Sequence, residues 1–258
     1  MDLSKKVAFV TGAARGIGKE IALVLASYGA DIVAADLLKE ELLQTVDAIA
    51  ALDRNGIAVT LDVSQNSQVE NAFNKAMDTF GRLDILVNAA GVQPSVKFED
   101  MPEDVWDKNM DVNAKGTYLC CKAAVNRMKN NGNGKIINIS SQASKIGEIG
   151  NGSYGCSKAA VNLLTQVLAL EAAPYNINVN AICPGLIDTK MLQNNFVQIG
   201  KRDGLDPKQV RENLENSVPL KRLGSPKEVG DLVAFLASDK SDYITGISIT
   251  IAGGTTLF

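Results

Sequence analysis

Short apolar runs alternate with helix-length amphipathic segments along almost the entire chain of 258 residues. A run that is apolar throughout indicates a strand buried on both faces, as in a parallel sheet with helices on either side. The runs predict strands at residues 6–11, 31–36, 57–63, 83–90, 134–141, 177–184 and 247–253. Helices are predicted at residues 16–28, 39–55, 67–80, 102–129, 153–173 and 226–238. This order predicts an α/β fold, in which residues 1–258 form a single domain built on a doubly wound parallel sheet of about seven strands with helices on both faces.

Composition excludes several classes of protein. A net charge of −3 argues against a dedicated nucleic-acid binder or a protein that binds anionic membranes, since both need a basic surplus. The four cysteines form no Cys-x-x-Cys pair and the chain has no histidine, so we expect no metal site. The first apolar run is too short for a signal peptide or a membrane span, and we expect a cytoplasmic protein with reduced thiols.

One segment interrupts the alternation of strands and helices. About thirty residues lie between PGLIDT at 184–189 and VPLKR at 218–222, after the sixth strand and before the last helix, and they contain two weak helical patterns at 190–199 and 207–216. Long excursions of this kind in compact domains are commonly functional loops. We therefore expect a mobile substrate lid at about 188–220, with a dimer-contact flap as the alternative.

A glycine-rich stretch, TGAARGIG, lies at 11–18, where the first strand turns into the first helix. Gly12, Gly16 and Gly18 allow a tight turn and a close approach of the backbone to a pyrophosphate, which the helix N-terminus favours. Arg15 and Ile17 lie within the loop and are expected to contact the same ligand. A dinucleotide cofactor is therefore predicted here.

Asp36 closes the second strand, eighteen residues after Gly18. A carboxylate at this position accepts the ribose 2′-hydroxyl of NAD and repels the 2′-phosphate of NADP. Leu37 follows it, where a basic residue would have indicated NADP. Arg15 is the one residue that favours NADP, since it can reach a phosphate. NAD is the predicted cofactor, and NADP is the alternative.

Polar and small residues end the third and fourth strands of the predicted sheet. Asp62 and Val63 follow the third strand, and NAAG at 88–91 follows the fourth. In a doubly wound sheet these ends meet on the adenine side of the crevice. Asp62 is expected to contact the adenine amino group, with Val63, Asn88, Ala90 and Gly91 around the cofactor. A structural role for Asn88, tying strands together, is at least equally favoured.

These motifs together resemble the short-chain dehydrogenase/reductase family. The family's order is kept by TGAARGIG, NAAG, Asn113 in DVNAKG, Ser141 in NISS, Tyr154 and Lys158 in YGCSK, and Pro184-Gly185, and Ser141 precedes Tyr154 by thirteen residues. The resemblance implies a Rossmann-like single domain, a nicotinamide cofactor and a catalytic tetrad of Asn113, Ser141, Tyr154 and Lys158. Pro184, Gly185, Ile187 and Thr189 are implied to hold the carboxamide and the phosphates.

The chemistry of these residue types agrees with the implied roles. Tyr154 and Lys158 are four residues apart and share one face of a helix. An ammonium beside the phenol, together with oxidised nicotinamide, is expected to lower the tyrosine pKa, so that Tyr154 acts as a general base or acid in a chain without histidine. Ser141 is expected to polarise the substrate oxygen. The resemblance assigns Asn113 a water that relays protons from Lys158.

The substrate is less closely defined by the sequence. Residues 135–166 are similar to the corresponding region of polyol dehydrogenases and of acetoin/butanediol reductases in this family. Gln142 and Asn151, together with Glu148, are placed to bond substrate hydroxyls beside Ser141 and Tyr154, or alternatively to cap the fifth strand. The favoured small-molecule substrate is a polyol, sugar alcohol or vicinal diol, and a phosphorylated sugar alcohol is a minor alternative.

Three further expectations concern rival functions and assembly. A 3-oxoacyl-thioester reductase would favour NADP and a basic docking patch for an acidic carrier protein. A non-catalytic dinucleotide sensor would not need the tetrad. The resemblance implies that the long helices pair across a two-fold axis, which gives a homotetramer or a homodimer.

Overall fold

Seven parallel strands form one sheet in the order β3-β2-β1-β4-β5-β6-β7. The computed structural model describes residues 1–257. The strands are β1 Val7–Thr11, β2 Asp31–Asp36, β3 Gly56–Thr60, β4 Ile85–Asn88, β5 Gly134–Ile139, β6 Ile177–Pro184 and β7 Ser248–Ile251. Strands β2 and β3 lie on one side of β1, and β4 to β7 lie on the other. The carboxyl ends of β1 and β4 therefore flank a topological switch point, where open α/β sheets bind ligands.

Helices cover both faces of the sheet. They are α1 Gly16–Ser27, α2 Lys39–Ala50, α3 Asn66–Phe80, α4 Glu103–Asn109, α5 Gly116–Met128, α6 Gly152–Ala172, α7 Lys190–Asp203, α8 Pro207–Ser217 and α9 Pro226–Ala237. Alternate residues of β1 point to opposite faces. Ala8 and Val10 pack with α1, α2 and α9, whereas Val7 and Phe9 pack with α3, α5 and α6. Burial on both faces is the reason for the unbroken apolar strands.

The predicted fold class is confirmed, with seven strands in one parallel sheet. The strands end earlier than their apolar patterns: β3 ends at Thr60, β4 at Asn88 and β5 at Ile139. The residues that follow have left the sheet and turn into a cleft. The predicted helix at 102–129 is divided by a π-helical turn, Met110–Lys115, between α4 and α5.

The excursion after β6 contains two helices, α7 and α8, at the positions of the two weak helical patterns in the sequence. Thr189 caps α7 by accepting a hydrogen bond from the Leu192 amide. Asp206 begins α8 with a reciprocal capping box that includes Gln209. A small apolar cluster of Phe196, Val210 and Leu223 joins the two helices and is separate from the main core.

A buried polar chain links the sheet to α6. The Asn88 amide of β4 donates to Asn138 Oδ1 on β5 at 2.8 Å, and the Asn138 amide donates to Thr165 Oγ1 on α6 at 2.9 Å. Asn138 and Thr165 are fully buried. A buried polar group that loses its partner costs its desolvation energy. The chain therefore fixes the position of α6 along β5.

Replacing Asn138 with alanine removes the shared partner of Asn88 and Thr165. We expect Asn138→Ala to lower the free energy of unfolding by about 1–3 kcal/mol, because two buried polar side chains lose a hydrogen bond. Urea denaturation followed by circular dichroism measures the change. Asn71→Ala, at an exposed position of α3, is the matched control and should change stability by under about 0.5 kcal/mol. Equal midpoints for both variants would contradict this account of the polar chain.

Candidate active site

A cleft of about 840 Å³ opens at the carboxyl ends of the central strands. The residues predicted for the site that line it are Gly12, Arg15, Gly16, Ile17, Gly18, Asp36, Asp62, Val63, Ala90, Gly91, Ser141, Gln142, Tyr154, Lys158, Pro184, Gly185, Ile187 and Thr189. Three predicted residues, Asn88, Asn113 and Asn151, do not line it. The fold thus brings residues from most of the chain to the switch point of the sheet.

The glycine loop forms one end of the cleft and has no room for side chains at its key positions. Gly12 has a φ of +69°, and a Cβ on it would lie 2.8 Å from the Ala90 amide nitrogen. A Cβ on Gly18 would lie 2.1 Å from the Gly12 carbonyl oxygen. The close turn leaves the N-terminus of α1 open to the cleft, with no acidic residue in its first turn. These features fit the pyrophosphate of a dinucleotide.

Thr11, which the sequence analysis did not assign, fixes the loop to its neighbour. Its hydroxyl oxygen accepts hydrogen bonds from the Ala89 and Ala90 amides, each at 3.1 Å. This bond holds the turn after β4 against the glycine loop. A threonine at the end of a strand carries no special sequence signal, so its role depends on the strand order.

Asp36 lies half-buried at the carboxyl end of β2. Its Oδ2 accepts from the Ala14 amide and its Oδ1 accepts from the Leu38 amide, both at 3.1 Å. The carboxylate is thereby held at the cleft wall with lone pairs remaining for a ligand. Leu37 is 62% exposed beside it. No basic side chain stands at that position to attract a 2′-phosphate.

The ends of β3 and β4 differ in what they offer the cleft. Asp62 lines the cleft and is fixed by Ser64, whose amide and hydroxyl both donate to its Oδ1. Asn88 points away into the protein, where its amide contacts Asn138 and Cys121. The cofactor role expected for the Asn88 side chain is replaced by the structural alternative, because β4 needs a polar partner for buried Asn138.

Ser141, Tyr154 and Lys158 meet at the centre of the cleft, between β5 and α6. The Lys158 ammonium donates to the Ile139 carbonyl at 2.8 Å and lies 5.8 Å from the centroid of the Tyr154 ring. The Ser140 hydroxyl donates to the Lys158 carbonyl at 3.0 Å. Ser140 therefore serves to dock α6 on β5, while Ser141 faces Tyr154.

Burial controls the pKa values of this group within the chain. Desolvation raises the pKa of Tyr154 to about 12, and the negative charge of Glu148 adds to the rise, whereas hydrogen bonding to Ser141 opposes it. Desolvation also lowers the pKa of Lys158 to about 8. The chain alone therefore does not lower the pKa of Tyr154 through Lys158 as expected. Removal from water disfavours both the Tyr154 phenolate and the Lys158 ammonium.

Asn113 lies behind the cleft wall, fully buried in the π-helical turn. Its Oδ1 accepts from the Val92 amide at 2.9 Å, and its amide donates to the Val92 carbonyl and to the Ser157 hydroxyl, each at 3.0 Å. The side chain therefore bonds protein groups on every side. Asn113 does not line the cleft, and the water relay expected of this residue stays a prediction.

The far wall of the cleft follows β6. Pro184 and Gly185 end the strand, and a Cβ on Gly185 would lie 2.8 Å from Gln142 Oε1. Ile187 forms an isolated parallel bridge with Gly224, just before α9. This bridge pins the segment that precedes α7. Thr189 lies at the N-terminus of α7. Its position therefore depends on the Ile187–Gly224 bridge on one side and on α7, which it caps, on the other.

A polar chain lines the cleft beside Tyr154. Gln142 donates to Glu148 Oε1 at 2.9 Å, and Asn151 donates to Glu148 Oε2 at 2.7 Å. Thr255, near the C-terminus, donates to Gln142 Oε1 at 2.8 Å. Gln142 and Glu148 line the cleft, whereas Asn151 lies behind Glu148 and holds it. Asn151 therefore supports the wall without lining the cleft itself, and the substrate contact expected of it stays a prediction.

One further part of the cleft is formed by a face of α4 and by the turn that follows it, and the sequence did not predict this part. Three carboxylates and a lysine at helical spacing line the mouth of the cleft: Asp104, Asp107, Lys108 and Asp111. Their spacing of three and four residues places them on one face. Such a pattern resembles an ordinary solvated helix face, and only the strand order reveals that this face borders the cleft.

Comparison with known proteins agrees with this geometry. The family model described as enoyl-(acyl carrier protein) reductase matches residues 12–256. An NAD-dependent glycerol dehydrogenase of Listeria innocua is 39% identical over 257 residues, which cover 99% of this chain and 96% of that relative. A 3-oxoacyl-[acyl-carrier-protein] reductase of Thermotoga maritima is 37% identical over 254 residues, with 98% and 99% covered. The structure of an NAD⁺-bound xylitol dehydrogenase has a TM-score of 0.95 at 33% identity, with 98% of this chain and 100% of that one covered.

The chain belongs to the short-chain dehydrogenase/reductase family. The resemblance drawn from its motifs is confirmed, and with it the assignment as an oxidoreductase with a dinucleotide-binding fold. Within residues 1–257, no helix of this family member is long and apolar enough to cross a membrane. The same residues contain no group of three or more His, Cys, Asp or Glu side chains that could hold a metal ion.

The buried ammonium of Lys158 predicts that folding stability rises with pH in the alkaline range. Its pKa is lowered from 10.5 to about 8, so the unfolded chain binds more protons than the folded chain between those values. The neutral Lys158 side chain therefore makes its full contribution to the free energy of unfolding above pH 10.5. This contribution is lost as the pH falls through 8. Urea unfolding across this range should show stability rising by on the order of 1–3 kcal/mol relative to Lys158→Met. The same pH slope in both proteins would contradict the burial argument.

Proposed function

We propose that this oxidoreductase transfers a hydride between NAD(H) and a secondary alcohol or ketone, and that its substrate is a polyol, sugar alcohol or vicinal diol. The observation that carries the proposal is the polar wall of Gln142 and Glu148 next to Ser141 and Tyr154. A wall that bonds hydroxyl groups discriminates strongly against substrates that lack them, because its own polar groups would remain unpaired.

The chain's own residues divide the acid–base work. When bound, the nicotinamide supplies the site that accepts or donates the hydride. Ser141 orients the reacting oxygen and stabilises the negative charge that develops on it. Tyr154 takes the hydroxyl proton in oxidation or returns it in reduction. Lys158 favours the phenolate as the neighbouring positive charge. Its pKa of about 8 lets it exchange a proton near neutral pH.

Asn113 completes the proposed tetrad as a positioning residue. Its bonds to Val92 and Ser157 connect the loop after β4 to α6. The neighbouring Gly91 lies against Lys158, since a Cβ on it would be 3.5 Å from the ammonium nitrogen. Asn113 thereby holds the wall that the lysine packs against. Its function depends on geometry and not on proton transfer by its own side chain.

Asp36 supports NAD over NADP as the cofactor. Its carboxylate is fixed at the cleft wall, and an exposed leucine follows it. The Listeria relative is described as NAD-dependent, and the xylitol dehydrogenase structure as NAD⁺-bound. Gly12, Gly16, Gly18, Arg15 and Ile17 would surround the pyrophosphate. Asp62 and Val63 would lie at the adenine, with Ile187 and Thr189 towards the nicotinamide side.

The charge at the mouth of the cleft argues against an acidic carrier protein as the partner. Asp104, Asp107 and Asp111 line the mouth on the α4 side together with Lys108, and Asp111 pairs with Lys115 at 3.1 Å, so that acidic side chains outnumber basic ones by three to two. An acidic carrier protein would meet like charge here, which costs binding energy and slows encounter. The reductase relative from Thermotoga maritima makes a 3-oxoacyl thioester the second candidate substrate.

The excursion and the outer helices support two further parts of the proposal. Residues 188–220 act as a lid, because α7 begins at the cleft and contributes Lys190, Met191 and Leu192 to its wall. α6 exposes Leu163 and Leu170, at 62% and 79%, on the face turned away from the sheet. Exposed apolar residues on one long helix fit pairing of two copies, as a homodimer or within a homotetramer.

An oxidation screen tests the proposed function. Purified protein is assayed with NAD and NADP against sugar alcohols, vicinal diols and 3-hydroxyacyl thioesters, and we expect NADH formation with the polyhydroxylated substrates. Tyr154→Phe should lower turnover by about 10²–10⁴-fold while NAD binding is retained. Tyr243→Phe, at a fully exposed tyrosine, is the control. Activity confined to thioesters with NADP would overturn the substrate class, and an active Tyr154→Phe variant would overturn the mechanism.

Asp36 should determine the choice between the two cofactors. Asp36→Asn removes the charge that opposes a 2′-phosphate and keeps one acceptor for the Ala14 or Leu38 amide. We expect the ratio of kcat/KM for NAD to that for NADP to fall by about 10–100-fold. Direct binding of both cofactors by calorimetry checks that the change lies in affinity. Asp47→Asn, an exposed acid on α2, should leave the ratio unchanged. An unchanged ratio for Asp36→Asn would contradict the assignment.

A further inference from the structure

Every hydrogen bond in the polar chain beside Tyr154 points towards Glu148. Thr255 donates to Gln142 and Gln142 donates to Glu148 from one side. Gln93 donates to Asn151 at 3.4 Å and Asn151 donates to Glu148 from the other. Both carboxylate oxygens therefore accept an N–H, which suits the ionised form, and each retains a lone pair.

The chain of donors is rigid on the Gln142 side. Gln142 is 93% buried, being 7% exposed, and its carbonyl oxygen is occupied by the Thr255 hydroxyl. With the amide reversed, its oxygen would face the Glu148 carboxylate, so the hydrogen bond from Gln142 to Glu148 defines which end of the amide faces that carboxylate. Thr255 comes from the C-terminal segment, beyond β7. The end of the chain thus positions Gln142, and Gln142 in turn positions Glu148.

Glu148 carries an uncompensated charge close to the reacting group. Within residues 1–257, no Lys or Arg lies within ion-pairing distance of its carboxylate. Its charge reaches Tyr154, whose pKa it helps to raise. The cations that line the cleft are Arg15, Lys108, Lys158 and Lys190. Among them, the Lys158 ammonium donates to the Ile139 carbonyl at 2.8 Å.

We infer that Glu148 determines which polyhydroxylated compounds the protein accepts. It takes a hydroxyl of a neutral polyol as a hydrogen-bond donor and repels compounds in which a carboxylate or phosphate replaces that hydroxyl. The inference rests on the proposed function and narrows its substrate class to uncharged polyols. Sugar acids and phosphorylated sugar alcohols are thereby excluded as good substrates.

The selection works by attraction to one group and repulsion of the other. A carboxylate accepts a hydroxyl proton in a charge-assisted hydrogen bond, which is stronger than a neutral one. The same carboxylate meets a second anion across a partly desolvated cleft, where like charges repel more strongly than in water. Specific sites commonly combine an attractive contact with a repulsive element of this kind.

Matched substrate pairs test the inference. Steady-state kinetics with NAD compare xylitol with xylonate, and glycerol with glycerol 3-phosphate, in the unaltered protein and in Glu148→Gln. Glutamine keeps the shape of the side chain but replaces one acceptor oxygen by a donor and removes the charge. We expect the ratio of kcat/KM for the neutral compound over the anion to fall by on the order of ten-fold to a hundred-fold, chiefly through KM.

The outcomes separate this inference from the proposed function. Glu103→Gln makes the same chemical change on α4 outside the cleft and should leave the ratio unchanged. A fall of equal size in Glu103→Gln, or none in Glu148→Gln, would overturn the role of Glu148 while polyol oxidation itself stands. No NADH from any neutral polyol with the unaltered protein, although NAD binds, would overturn the proposed function and this inference with it.

Discussion

The docking of α6 on the carboxyl end of β5 is the contact on which the rest of the site depends. Two hydrogen bonds cross it, from the Lys158 ammonium to the Ile139 carbonyl and from the Ser140 hydroxyl to the Lys158 carbonyl. Deeper in the core, Asn138 bonds Thr165 on the same helix. These bonds set the position of the helix along the strand and its rotation about its own axis. These bonds are the reason that Tyr154 faces Ser141. The orientation matters because the chain has no histidine that could take the role of an acid or base.

Burial at this contact also sets the pKa values of Tyr154 and Lys158. A phenol and an ammonium removed from water are each driven towards the neutral form, which raises the pKa of Tyr154 to about 12 and lowers that of Lys158 to about 8. Glu148 works in the same direction on the tyrosine. Burial within the chain alone therefore favours the protonated phenol, and a positive charge next to it would act in the opposite direction. In the proposed function, the Glu148 carboxylate at the wall and the carboxylates on the α4 side of the mouth restrict which substrates and partners approach.

The sequence predicted the sheet and most of the site because its signals are local. The apolar runs, the glycine loop and the four-residue spacing of Tyr154 and Lys158 are each recognised within a few residues. The structure places the apolar runs in the strands of the sheet, and the glycine loop, Tyr154 and Lys158 in one cleft. Asn88, Asn113 and Asn151 were placed less well, since an asparagine near a site can face inward or outward with the same sequence. Thr255 is 113 residues from Gln142, and the α4 acids resemble any solvated helix face. Their roles follow only from the strand order and from packing.

A crystal structure of the protein with NAD⁺ and an unreactive polyol analogue would test the central claim most directly. The account predicts one substrate oxygen within hydrogen-bond distance of both the Ser141 hydroxyl and the Tyr154 hydroxyl, with a second hydroxyl on the Glu148 carboxylate. A polyol bound elsewhere in the cleft, with its oxygen out of reach of Tyr154, would contradict the proposed chemistry. It would leave the fold and the family assignment intact and would require another residue to carry the proton.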